Sequence, residues 1–137
     1  MIRFSCLACY NHFTLLFQIV AKGDLLLNVM KELFSIKEVD DFVNNHHLAF
    51  LYISRNNCSV CHDLLPKIKN VMADFPNIQL ALVNADHVPE VAGRFTIFTA
   101  PVLLLFVDGK EVLREVRFVH VEPFREKVNK IYSIIQE

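Results

Sequence analysis

The chain has 137 residues, of which 53% are hydrophobic and 21% are charged, a balance that is typical of one globular domain and excludes a disordered tail or a fibrous repeat. A formal net charge of -1 offers no basic surface for phosphates or anionic lipid, so we expect no nucleic-acid partner. The four cysteines form two pairs of equal spacing, Cys6/Cys9 and Cys58/Cys61. They are too few for a disulfide-stapled secreted miniprotein and point to chemistry or metal binding.

The first 29 residues differ in composition from the rest of the chain, because they contain only three charged side chains. Their uncharged run, residues 4–21, is near the lower length limit for crossing a bilayer and is interrupted by polar side chains. Three interpretations stay open: an extension outside the folded domain, a membrane anchor or secretory signal, or an added packed element. Since Met30 begins a stretch that looks like an ordinary protein start, we predict a hydrophobic extension over residues 1–29 and a folded domain over residues 30–137.

From residue 30 onward, hydrophobic patterns typical of strands and helices alternate. The predicted strands span residues 31–34, 47–54, 78–83, 102–107 and 111–119, and the predicted helices span residues 36–45, 58–75, 90–95 and 122–135. Ser35 and Glu38 have the spacing of a capping box, which starts the first helix. Pro66 removes a backbone donor from the second helix, so we expect a kink there.

The end of the chain is predicted to form a hairpin followed by a helix. Asp108 and Gly109 tolerate the positive backbone angles of a tight turn, which makes the last two strands antiparallel neighbours. Pro123 is expected at the first position of the final helix. The order β-α-β-α-β-α-β-β-α predicts an α/β fold with a mixed central β-sheet and helices on both faces.

The motif Cys58-Ser59-Val60-Cys61 lies between a buried strand and a helix. Cys58 is therefore expected at the helix N-terminus, where unpaired amides and the helix dipole favour its thiolate. The three-residue offset brings Cys61 within disulfide reach of Cys58. We predict that Cys58 is the catalytic nucleophile and Cys61 the resolving thiol, with no metal and no cofactor other than their redox-active disulfide.

Other interpretations of these cysteines stay open. Cys58 and Cys61 could also be an inert structural pair, but their context favours redox activity. With His62 they also fit the C-x-x-C-H pattern of haem attachment. Cys6 and Cys9 could join them in a zinc site. Arg55, near the active turn, either favours the Cys58 thiolate or is a solvated loop charge.

In this context the region from about residue 30 to residue 137 resembles the thioredoxin superfamily. The matching features are the strand before Cys58-Ser59-Val60-Cys61, the helical Pro66, Val83-Asn84-Ala85-Asp86, and the run over residues 95–106 that contains Thr99-Ala100-Pro101-Val102. The resemblance implies a thioredoxin-like fold and a thiol-disulfide oxidoreductase that acts on protein or small-molecule disulfides and is recycled by a thioredoxin-reductase type enzyme. It also implies that Pro101 is a cis-proline facing the cysteines.

The resemblance further implies a substrate-binding surface around the motif. This surface comprises Asn57, Ser59, Val60, Ala100 and Pro101, and the backbone of Ala100 pairs with a bound segment. We expect a cytoplasmic monomer, or a membrane-tethered or exported protein if residues 1–29 act as an anchor or signal.

Several positions depart from the family pattern. Thioredoxins usually have tryptophan at Asn57, Gly-Pro at Ser59-Val60, a buried aspartate at Tyr52, a lysine at Leu82 and a glycine within residues 117–119. The loss of the aspartate removes the expected proton acceptor for Cys61. The departures keep a second hypothesis open, namely a redox-weak module that binds extended peptides near Pro101.

Overall fold

The computed structural model describes residues 29–137. The strands are β1 (Lys31–Leu33), β2 (Leu48–Ser54), β3 (Gln79–Asn84), β4 (Val102–Val107) and β5 (Lys110–Val116), and the helices are α1 (Ile36–Asn45), α2 (Ser59–Met72), α3 (Glu90–Arg94) and α4 (Val121–Gln136). This order confirms the predicted one. Cys6 and Cys9 lie outside the described residues, and so does nearly all of the segment 1–29, whose separation from the domain stays a prediction.

The five strands form one mixed sheet in the order β1-β3-β2-β4-β5. β1, β3 and β2 are parallel, whereas β4 is antiparallel to both β2 and β5. β2 is central, and every residue from Leu48 to Ile53 is buried. A continuous apolar run is expected for such a strand because both of its faces are covered.

Helices cover both faces of the sheet, as predicted. Side chains along a strand alternate between its two faces, so Leu51 and Phe50 on β2 belong to two separate apolar clusters. Val39 from α1 shares the cluster of Leu51, together with residues of α3. Ile68 from α2 and Phe124 from α4 share the cluster of Phe50. α1 and α3 thus pack on one face, and α2 and α4 pack on the other.

Local signals in the sequence account for two of the element boundaries. The Ser35 hydroxyl accepts a hydrogen bond from the backbone N–H of Glu38 at 3.2 Å, which confirms the cap of α1. The carboxylate of Glu38 accepts a hydrogen bond from the N–H of Phe34 at 2.8 Å. Asp108 and Gly109 have φ values of 49° and 78°, so the predicted hairpin between β4 and β5 is confirmed.

Two predictions about the end of the chain are wrong in detail. The last helix begins at Val121, which places Pro123 at its third position and not its first. This position also tolerates proline, because the first N–H groups of a helix have no partner within the helix. β5 ends at Val116 and not at residue 119, since Arg117 has a φ of 64°, which departs from the extended geometry of a strand. The N–H of Arg117 still donates to the Pro101 carbonyl.

Four strand ends meet at one edge of the sheet. Ser54 at the end of β2 is in register with Asn84 at the end of β3. Val102 at the start of β4 is paired with Ile53 on one side and with Val116 on the other. The segments that follow β2, β3 and β5, and the segment that precedes β4, are therefore neighbours. None of the helices within residues 29–137 is long and apolar enough to cross a membrane.

Candidate active site

Cys58 and Cys61 form a disulfide at the start of α2, with their Cα atoms 5.3 Å apart. Cys58 is the N-cap residue in an extended conformation, and its Sγ accepts a hydrogen bond from the N–H of Cys61 at 3.2 Å. Cys58 is half-buried, whereas Cys61 is only 2% exposed. Cys58 is therefore the more accessible of the two cysteines, and it lies at the end of the helix where the dipole favours negative charge.

Tyr52 lies beneath the second cysteine. Its side chain is fully buried, and its hydroxyl donates a hydrogen bond of 2.7 Å to the Cys61 carbonyl. Burial raises the pKa of Tyr52, so the phenol remains a neutral donor. Leu82 is its register partner on β3. No charged side chain is buried within residues 29–137, and the described site therefore has no buried carboxylate to accept the proton of Cys61.

A polar network fastens the turn that precedes Cys58. One oxygen of Asp86 accepts a hydrogen bond of 3.0 Å from Arg55, and the other accepts one of 2.7 Å from the N–H of Asn56. The Asn84 amide donates to the Asn56 side chain at 2.8 Å. The N–H of Asn56, and then Arg55, hold the pKa of Asp86 below its ordinary value. The network thus fixes the active turn to the end of β3.

Sequence reasoning missed this network. The sequence marks Asn84 and Asp86 only as part of a family-like segment and predicts no role for them. It leaves Arg55 as either an aid to the Cys58 thiolate or a solvated charge, and in the structure Arg55 is paired with Asp86. The pairing joins residues 31 positions apart in sequence, so no local pattern could have indicated it.

The predicted substrate-binding residues lie at the same edge of the sheet as the disulfide. Asn57 is exposed with a φ of 55°, and Ser59 and Val60 are exposed in the first turn of α2. The Ala100–Pro101 peptide bond is cis. Ala100 packs against the apolar cluster that contains Cys61, and so does Cys58. The fold therefore brings the motif and the Pro101 segment together, and the roles of these residues stay predictions.

Two exposed aromatic side chains flank this edge. Phe98, which precedes Pro101, is 88% exposed, and Phe118, which follows β5, is 70% exposed. Phe98 lines a groove with Arg55 and Ala100, and Phe118 lines a second groove with Val60. Sequence patterns indicate buried positions, so neither exposed ring was expected.

The described residues offer no metal site of three or more cysteine, histidine, aspartate or glutamate ligands. The zinc alternative also requires Cys6 and Cys9, which lie outside the described residues.

Comparison with known proteins decides the family. The family model described as Thioredoxin matches residues 31–130. The chain belongs to the thioredoxin family. It is 50% identical over 107 residues to the thioredoxin-like protein YdfQ of Bacillus subtilis, covering 78% of this chain and 96% of that protein. It is also 32% identical over 76 residues to thioredoxin-2 of Pyricularia oryzae, covering 56% of this chain and 44% of that protein.

Solved structures confirm the thioredoxin-like fold. The crystal structure of thioredoxin from Trypanosoma brucei brucei matches with a TM-score of 0.71 at 17% identity, covering 78% of this chain and 94% of that chain. The structure of Fasciola hepatica thioredoxin matches with a TM-score of 0.67 at 23% identity, covering 74% and 98% of the two chains. Membership in the thioredoxin family, together with the Cys58–Cys61 disulfide, supports a function in thiol-disulfide exchange.

Proposed function

We propose that this thioredoxin-family protein is an enzyme that reduces or exchanges disulfides of proteins or small molecules through Cys58 and Cys61. One observation carries the proposal: the two cysteines are joined as a disulfide at a helix N-terminus, with the first cysteine accessible and the second buried. Only a thiol that a substrate can reach can act as the nucleophile, so the unequal exposure supports Cys58 as the attacking thiol and Cys61 as the resolving thiol.

The proposed reaction is two successive exchanges. The Cys58 thiolate attacks one sulfur of the substrate, which forms a mixed disulfide and releases the first substrate thiolate. The Cys61 thiolate then attacks the Cys58 sulfur, which releases the second substrate thiolate and forms the Cys58–Cys61 disulfide. Two electrons pass to the substrate in total, and a thioredoxin-reductase type enzyme returns the pair to the dithiol state.

Before the second exchange, Cys61 must lose its proton, and the residues from 29 to 137 place no buried carboxylate near it. The neutral Tyr52 hydroxyl is engaged with the Cys61 carbonyl and is a donor, not a base. Water or an exposed group such as His62, one residue after Cys61, must therefore accept the proton. The resolving step should consequently be slow near neutral pH and faster as the pH rises.

The proposed function also includes a cellular location and an oligomeric state. We place the protein as a monomer in the cytoplasm, where reductases keep such a pair in its dithiol form. The cellular location would differ if residues 1–29 act as a membrane anchor or a secretory signal.

Catalysed reduction of insulin, followed by turbidity with dithiothreitol as the electron source, tests the proposal. The wild-type protein should accelerate the reaction, and Cys58→Ser should abolish the acceleration. Incubated with oxidised insulin in the absence of dithiothreitol, Cys61→Ser should accumulate a mixed disulfide that mass spectrometry locates on Cys58. A variant with Ser at both Cys6 and Cys9 is the matched control and should keep its activity. Full activity without Cys58 would refute the proposal.

A second candidate function is a module that binds extended peptides without redox turnover. The large exposure of Phe98 and Phe118 on either side of the site favours it, because exposed aromatic side chains are typical of interaction surfaces. It predicts that a variant with Ser at both Cys58 and Cys61 still binds the reduced peptides that the wild-type protein binds. The redox proposal predicts instead that capture of a substrate depends on the Cys58 sulfur.

A further inference from the structure

We propose that Arg117, supported by Phe118, determines substrate specificity and selects disulfide-bonded protein segments that carry an acidic side chain close to the target cysteine. The inference rests on the proposed function, because it concerns which disulfides reach Cys58. The side chains of Arg117 and Phe118 take no part in the exchange reaction itself.

The backbone of Arg117 is in a conformation that favours glycine. Its φ is 64°, and its N–H donates a hydrogen bond of 2.8 Å to the Pro101 carbonyl, next to the active site. Any residue other than glycine is destabilised by the close approach of its Cβ in this left-handed region. An arginine at a strained position beside the active site is therefore a reason to look for a role of its side chain.

The guanidinium group of Arg117 is held in place but keeps its charge available. It lies 5.1 Å from the centre of the exposed Phe118 ring, in a cation-π arrangement. Within residues 29–137 it makes no ion pair, whereas Arg55, on the other side of the site, is paired with Asp86. A planar guanidinium group binds a carboxylate through two parallel hydrogen bonds, so an acidic side chain is its natural ligand.

The surroundings of Arg117 form a groove that Val60 of the Cys58–Cys61 motif also lines. The groove has a volume of about 260 Å³ and is lined by Val60, which is two residues after Cys58, and by Leu64 and Phe118. Its other lining residues are Asp63, Lys67, Arg117, Val119 and His120. Arg117 and Lys67 carry positive charges and Asp63 carries a negative one, so the groove has a net positive charge even when His120 is neutral. It is therefore complementary to a segment that is apolar and acidic.

The test compares two peptides that differ at one position. Each peptide contains one disulfide, and the residue next to the attacked cysteine is Glu in one peptide and Gln in the other. At low ionic strength the wild-type protein should reduce the Glu peptide with a kcat/KM about two- to fivefold higher, the range expected for one exposed ion pair. The preference should decline in 0.5 M NaCl, which screens exposed charges.

Three variants assign the preference to one side chain. Arg117→Gln should bring the kcat/KM ratio of the two peptides to about one, and Arg117→Lys should restore part of it. Lys110→Gln removes a positive charge at the opposite end of β5, where the hairpin lies, and should leave the ratio unchanged. Arg117→Gly removes the charge without the backbone strain, so it serves as the second test if Arg117→Gln folds poorly.

Failure of the inference is distinguishable from failure of the proposed function. If the wild-type protein reduces both peptides at equal rates, or if Arg117→Gln keeps the preference, the specificity role of Arg117 is wrong and thiol-disulfide exchange stands. If neither peptide nor neutral 2-hydroxyethyl disulfide is reduced, the proposed function itself is wrong.

Discussion

The hydrogen bond from Tyr52 to the Cys61 carbonyl should stabilise the fold, and Tyr52→Phe removes it with almost no change in shape. Its length is 2.7 Å and the Tyr52 side chain is fully buried. A typical buried hydrogen bond contributes about 0.5–1.5 kcal/mol to stability. We therefore expect the free energy of unfolding of the oxidised protein to fall by about 1 kcal/mol and its Tm to fall by roughly 4 °C.

Urea denaturation of the oxidised protein measures this loss. Tyr52→Phe should lower the denaturation midpoint at an unchanged m-value, because it exposes no additional surface on unfolding. Tyr132→Phe is the matched control: its ring packs 5.2 Å from that of Phe75, and its hydroxyl makes no hydrogen bond to another described residue. Equal losses in the two variants would refute the argument that the Tyr52 hydroxyl contributes through Cys61.

Three further predictions concern the turn, the two thiols and the domain boundary. Because the pKa of Asp86 is lowered in the folded protein, its carboxylate stabilises the fold above about pH 3.8 and this contribution declines as the pH falls through the folded-state pKa. The stability difference between the wild-type protein and Asp86→Asn should be largest near pH 6 and shrink on acidification, and a difference independent of pH would contradict this. In the reduced protein, iodoacetamide should modify Cys58 faster and at lower pH than Cys61, as peptide mass mapping would show; the reverse order would overturn the assignment of the nucleophile. A protein that begins at Met30 should keep its Tm and its activity, and a large loss of either by calorimetry or turnover would show that residues 1–29 pack on the domain.

The elements that could be predicted from the sequence are those with strong local signals. Residues 102–107 form a strand with the predicted bounds, because an uninterrupted apolar run of that length suits a buried strand. The cap at Ser35 and the turn at Asp108-Gly109 depend on neighbouring residues only, and both are confirmed. The position of Cys58 at a helix N-terminus followed from the same kind of local reasoning.

The remaining features depend on contacts between distant segments. The hydrogen bond from Asn56 to Asp86 requires the parallel register of β2 and β3. No local sequence pattern predicts that register. Tyr52 was recognised as the place of a missing aspartate, but its hydrogen bond to Cys61 follows from packing between β2 and α2. β5 ends early because Arg117 has a φ of 64°, and its N–H donates to the carbonyl of Pro101, which is distant in sequence.

The reduction potential of the Cys58–Cys61 pair tests the central claim most directly. The pair would be equilibrated in glutathione and dithiothreitol buffers, and the fractions of oxidised and reduced protein measured by thiol labelling and mass spectrometry. A redox-active pair should interconvert reversibly, by a two-electron transition, at a potential between about -120 and -300 mV. A pair that stays oxidised well below about -300 mV would be a structural disulfide and would contradict the account.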